Sequence, residues 1–218
     1  MAEDYQIHFH LDTQADVFDT MLETHEILNH HGMKITADSE LLLSEYQDED
    51  GFNVEPIDDW REALKKVAAW PALGLLSYWL EDREISVAYE KEIESASIQC
   101  ISIFFTDRFF DDEEGRGYLP LLLDLVVDLH HSLRSIRTIW GWSLYAWFGY
   151  DEIEEMQRLS LKRVEGLYWL DILRGDYVSE KRKRFLCGHL LEKSVLKSFS
   201  DGSLYYQQTD TPASWFRE

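Results

Sequence analysis

Histidines and carboxylates are the residues of this chain best placed to do chemistry, and each grouping points to a different kind. His8 and His10 stand two apart in the alternating segment Tyr5 to Leu11. On a strand they project from one face about 7 Å apart, a spacing that can chelate a metal ion. The same alternation makes them the polar face of an amphipathic strand, so a metal is not required to explain them. His30 with His31 and His130 with His131 are adjacent pairs, which diverge by about 100° on a helix and make poor two-point ligands. The string Phe185, Leu186, Cys187, Gly188, His189 places a thiol near an imidazole. It has neither an orienting acid nor a helix N-terminus placed to activate that thiol. The reading is therefore of no catalytic residue, no metal site and no cofactor.

The carboxylates say more. Asp48, Glu49, Asp50, Asp58 and Asp59 form one cluster around Gly51, Asn53 and Pro56, and Asp111, Asp112, Glu113 and Glu114 form a second beside Phe109 and Phe110. Both fall on loop-like segments, where charge is exposed and free to meet a cationic surface. Solvation alone would also account for them. Phe109 and Phe110 would be aromatic anchors of the second patch or would tuck beneath the loop. Over the whole chain 42 acids face 21 bases, a net charge of −21. Residues 1 to 157 hold 34 acids and 10 bases, whereas residues 158 to 197 hold 5 acids and 10 bases. A field of that sign repels phosphate backbones, so no nucleic-acid partner is expected and a basic protein is. Arg134, Arg137 and the run Lys181 to Arg184 are expected to pair with the chain's own acids or to be solvated.

These groups must be positioned by an α+β framework. Tyr5 to Leu11 predicts a strand, and a helix through Val17, Met21, Leu22, His25 and Leu28 follows, capped by Asp12 or Thr13 and stopped at Gly32. Lys34 to Tyr46 reads as strand and Gln47 to Asp59 as an exposed loop. Asp58 or Asp59 opens a short helix that ends at Pro71. Strands at Gly74 to Leu80, Glu84 to Tyr89 and Ser97 to Phe105 make an antiparallel meander. Leu119 to Leu133 is apolar nearly all round, which predicts a helix on a sheet face. Ile139 to Tyr150, with Trp140, Trp142 and Trp147, reads as a central strand covered on both sides. Helices are expected from Ile153, around Leu167 to Leu173 and near Leu186 to Leu196, then a hairpin turning at Ser200 to Ser203. Strands and helices mix without strict alternation, so the fold class is α+β with a mainly antiparallel sheet, taken as a single domain over residues 1 to 218.

Cys100 and Cys187 are the only cysteines and form no close-spaced pair, which suits a reducing compartment. Met1 to Asp12 lacks the basic start and apolar run of a signal peptide. The apolar stretch Tyr118 to Val127, broken by Pro120 and Asp124, is far short of the roughly 20 residues that cross a bilayer. A cytoplasmic protein without a membrane partner is the expectation.

A resemblance sharpens it. Gly166, Leu167, Tyr168, Trp169, Leu170, Asp171, Ile172 and Leu173, then Tyr177 and Val178, then Arg184, Phe185 and Leu186 resemble the late segment of bacterial polymorphic-toxin immunity proteins of contact-dependent or type VI systems. In that group an aromatic core precedes a Tyr-Val step and a positively charged turn. Asp201 to Tyr206, on to Pro212, is similar to the glycine turn and strand that follow there. The likeness covers the last quarter of the chain, and the basic run Lys181 to Arg184 departs from it where a glycine-containing turn is commoner. It implies a cytoplasmic antidote that binds a cognate toxin, and it brings no catalytic residues. The alternatives are a small-molecule-binding protein or enzyme with an aromatic pocket of Trp140, Trp142 and Trp147, and an assembly subunit of a larger complex.

Overall fold

Alternation along the first strand sets the two faces of the whole sheet. In β1 (Tyr5–His10) the side chains of Tyr5, Ile7 and Phe9 are buried on one face, while Gln6, His8 and His10 point to the other. The computed structural model describes residues 5–11, 16–44, 53–91, 98–106, 109–110, 112–142, 169–177 and 194–208. Asp12 and Thr13, Asp48 to Asp50, Asp111, Trp147, the helix from Ile153, Tyr168, the run Lys181 to Arg184 and the Cys187–His189 string lie outside them.

The remaining strands are β2 (Glu40–Ser44), β3 (Asn53–Pro56), β4 (Leu73–Leu80), β5 (Arg83–Lys91), β6 (Ile98–Phe105), β7 (Arg137–Trp142), β8 (Leu170–Leu173), β9 (Ser194–Ser198) and β10 (Leu204–Gln208). They form one ten-stranded sheet in the order β3-β2-β4-β5-β6-β1-β7-β8-β10-β9. Every neighbouring pair is antiparallel. With four helices among the described residues, the fold is α+β with a mainly antiparallel sheet. No helix among them is long and apolar enough to cross a membrane.

Helix α1 (Val17–His30) buries Met21, Thr24, His25 and Leu28, the 3–4 spacing of one helical face. Its cap is Asp16, whose carboxylate accepts the Asp19 N–H at 3.1 Å, in place of the expected Asp12 or Thr13. Gly32 ends it at φ +85°, a conformation glycine takes without a Cβ penalty. Helix α2 (Trp60–Ala69) starts at Asp59, which accepts the N–H groups of Arg61 and Glu62 at 2.8 and 3.4 Å. Two more helices follow β6: α3 (Glu113–Gly117) and α4 (Leu119–Ser132), the latter with proline in its first turn.

Three contacts fix the side on which these helices lie. His25 of α1 bonds the Tyr78 hydroxyl at 3.0 Å, and His130 of α4 bonds the Thr138 hydroxyl at 2.9 Å. A Cβ on Gly74 would stand 2.6 Å from Val67 of α2, so that helix also sits directly on the strand. By register Gly74, Tyr78 and Thr138 share the face of Tyr5, Ile7 and Phe9. All three long helices therefore cover one face, in the order α2, α1, α4.

Two expected elements differ. Leu170–Leu173 is a strand between β7 and β10, not a helix, and residues 194–196 belong to β9 rather than to a helix. Within the expected loop Gln47 to Asp59 lies β3, which ends the sheet on one side. Ile57 donates to the Ser39 carbonyl at 3.2 Å, so alternation turns the backbone of Val54 and Pro56 outward. The outermost ladder is thus short and interrupted by a residue with no N–H.

Candidate functional site

The two acidic clusters divide on inspection into acids that build the fold and acids that face solvent. Asp59 is the α2 cap described above, and Asp58 beside it is exposed. Asp112 caps α3 by accepting the Gly115 N–H at 2.6 Å and is held by Arg83 Nη2 at 2.7 Å. That guanidinium keeps the Asp112 carboxyl below its ordinary range. Glu114 stands 3.8 Å from the same nitrogen, and Glu113 and Glu114 are both exposed.

Phe109 and Phe110 correct the idea of surface anchors: they are only 2% and 1% exposed. Phe110 packs edge-on to Tyr5 at 4.9 Å, and Phe109 meets Phe105 at 5.0 Å. Burial of two aromatic rings outweighs the charge that follows them in sequence. The cations beside them turn inward as well. Arg83 Nη1 donates to the Phe109 carbonyl at 3.0 Å and Arg116 Nη1 to that of Phe110 at 3.1 Å. A Cβ on Gly115 would lie 1.7 Å from the Phe109 oxygen, so only glycine lets α3 close on this loop. The aromatic pair is the root of the loop, and Glu113 and Glu114 are its outer surface.

Trp140, proposed for an aromatic pocket, is a core residue with no exposure, edge-on to Trp169 at 4.7 Å and stacked on Phe105 at 6.0 Å. Of Trp142 the described structure gives the strand position alone.

The face opposite the helices carries polar groups that sequence reasoning did not join. His8 Nδ1 lies 2.6 Å from the Ser102 hydroxyl and its Nε2 3.1 Å from Gln6 Oε1. The Gln6 oxygen accepts from Nε2–H, leaving Nδ1 to accept from Ser102. This is the hydrogen-bond order of a nucleophile, a base and an orienting group, but His8 and Ser102 are 1% and 4% exposed. Cys100 next to them has its thiol pushed up to about 12 by burial, which removes it as a thiolate near neutral pH. The trio satisfies polar groups between strands. His10 is on the same face, its ring 6.4 Å from that of His8. Among the described residues no three or more histidine, cysteine or acidic side chains are grouped to hold a metal ion. Further along this face Arg137 and Asp171 form a buried two-point ion pair, at 2.9 and 2.7 Å.

No family model matches the chain. No curated protein matches it. Among solved structures it is similar to Pseudomonas aeruginosa T6SS protein PA0821, at 9% sequence identity and a TM-score of 0.48, covering 94% of this chain. The chain spans 64% of that structure's length. A likeness at this level says nothing of what the chain binds or does.

Burial also fixes how the protein answers to acid. Desolvation lowers His10 to about 3, helped by His8 and Arg137, and lowers His130 to about 3, helped by His131. The unfolded chain takes up protons below about 6.5 that these native imidazoles refuse. Their contribution is therefore complete above pH 6.5 and is lost as pH falls toward 3. Burial lowers His25 to about 4 as well, and at pH 5 the three together should cost on the order of 6 kcal/mol, before any relief of carboxylate repulsion. Urea midpoints measured at pH 7.5 and 5.0 should fall with acidification, and His130→Asn should flatten that fall by about a third.

Proposed function

We propose that this chain is an acidic binding protein that neutralises a basic partner by direct contact, an immunity-type inhibitor acting on a cognate toxin in the cytoplasm. The observation that carries the reading is the division of labour at the second acidic cluster. Arg83 and Arg116 each give one nitrogen to the backbone of Phe109 and Phe110, and Arg83 gives a second, 3.8 Å from Glu114, to Asp112, while the carboxylates of Glu113 and Glu114 stay exposed. A rigid mount with its cations turned in presents negative charge without the ordering cost of a mobile loop. Asp58 adds to the same field at the α2 end, within a chain whose first 157 residues hold 34 acids against 10 bases. Such a field steers a cationic protein and suppresses wrong partners. The resemblance of the Trp169 to Leu173 segment to immunity proteins points the same way.

The test is co-expression with the product of the adjacent gene. Growth should be rescued, and the two proteins should co-purify. Asp58→Asn with Glu113→Gln and Glu114→Gln should slow association about tenfold at low salt and flatten its salt dependence. The melting temperature should stay unchanged, because none of the three supplies a cap or a buried contact. An association rate indifferent to these changes would remove the loops from the interface, and absence of rescue would remove the inhibitor reading.

A further inference from the structure

Ten strands about 4.8 Å apart make a sheet wider than three helices of about 10 Å can cover. Among the described residues the helical layer stops at α4, and the β10–β9 hairpin continues past it. Between them is a trough of about 560 Å³, within the size range of ligand-binding clefts. Its wall is the outer face of α4, where Asp124 and Asp128 are one turn apart and exposed. Its floor is the hairpin, with the rings of Tyr205 and Phe199. Lys197 already rests its ammonium 5.5 Å from the centre of the Tyr205 ring. His31, at the end of α1, closes one side by bonding Asp128 at 2.8 Å.

We infer that this trough receives an arginine or lysine side chain of the basic partner, with Asp124 and Asp128 as counter-ions and Tyr205 as the aromatic floor. The inference rests on the function proposed above and names a place for the contact.

Three features argue for a cation. The trough lies in a chain of net charge −21, and clefts with apolar walls concentrate the field of the whole molecule. Its aromatic floor holds an alkylammonium from the chain itself, which shows that the geometry accepts one. The Tyr205 hydroxyl is pushed up to about 12 by burial and by the nearby Asp124 carboxylate, so carboxylate and ring sense each other across the gap. The exposed acids Glu113 and Glu114 of α3 lie a few residues before Pro120, which lines the rim of the trough. An incoming guanidinium would displace Lys197 from the ring, which makes Lys197 an internal competitor.

A capped hexapeptide of alternating arginine and glycine is the probe, titrated calorimetrically into the full chain at about 50 mM salt. Saturable binding at a single site is expected. Asp124→Asn with Asp128→Asn should weaken it about tenfold, and Lys197→Ala should tighten it several-fold. Asp38→Asn with Glu40→Gln removes the same charge at the far end of the sheet and should change binding by less than about twofold. Equal losses in the two charge-matched pairs, or no loss at the trough, would overturn the assignment. Failure here is separable from failure of the inhibitor reading. Rescue of growth undiminished by the Asp124 and Asp128 changes sinks the trough alone. Peptide binding at the trough in a chain that rescues nothing sinks the inhibitor reading alone.

Discussion

Asp171→Asn should cost about 3–5 kcal/mol of folding stability, a third or more of what a domain commonly has. Arg137 and Asp171 are each 2% exposed at the side chain and meet through two parallel hydrogen bonds. Replacing the carboxylate by an amide removes a two-point, charge-assisted contact with a guanidinium in a site from which water is excluded, and that loss dominates the cost. Replacing both partners has a different outcome. Arg137→Met with Asp171→Leu removes both desolvation penalties and should return stability to within about 1–2 kcal/mol of the starting protein. Urea unfolding of the two single variants and the double variant measures the cycle. Single variants that lose less than about 1 kcal/mol would mean that the pair is not sealed from solvent.

Lys91→Met should be nearly as damaging, by about 2–4 kcal/mol. The ammonium donates to the carbonyls of Val67, Ala68 and Trp70 at 2.6, 2.6 and 2.5 Å. They lie at the C-terminal end of α2, where the last carbonyls lack the N–H of a following turn; the Val67 carbonyl also accepts the Trp70 N–H at 3.1 Å. Three N–H groups meet three acceptors at the negative end of the helix dipole, so this side chain caps the helix together with the Trp70 N–H. Burial lowers its pKa to about 8, which still leaves it mainly charged at neutral pH. Methionine fills the same space and supplies none of the bonds. Hydrogen exchange should show α2 opening ahead of the rest of the protein in this variant.

Much of the fold was legible because local chemistry decided it. Alternation in Tyr5 to Leu11, the stop at Gly32, the Asp59 cap and the Gly202 turn, at φ +86°, all depend on residues within a few positions of one another. Leu170–Leu173 was misread because four consecutive buried residues have no period, and only pairing with β7 and β10 settles that they are extended. The same long range hid the Asp171 partner, 34 positions away. Of the two expectations for Arg137, pairing with an acid of its own chain or solvation, the structure takes the first. At the candidate site Asp59 and Asp112, read as surface charge, are helix caps, and of the two places offered for Phe109 and Phe110 the structure takes the one beneath the loop. Their burial depends on Tyr5, Phe105 and Trp140 arriving from three different strands. Lys91 lay just past the end of its expected strand, where nothing nearby in sequence announces α2.

The outer rim at β3 has a bearing on how molecules of this protein coexist when crowded. A visiting strand needs a run of backbone donors and acceptors, and here the outward positions are Val54 and Pro56. Val54, 54% exposed, is among the described residues the one large apolar side chain that draws such a visitor. The neighbouring proline denies the next rung, so docking at that rim ends almost as it begins and fibre growth has no template there. At this rim, then, molecules of the protein meet without joining their sheets.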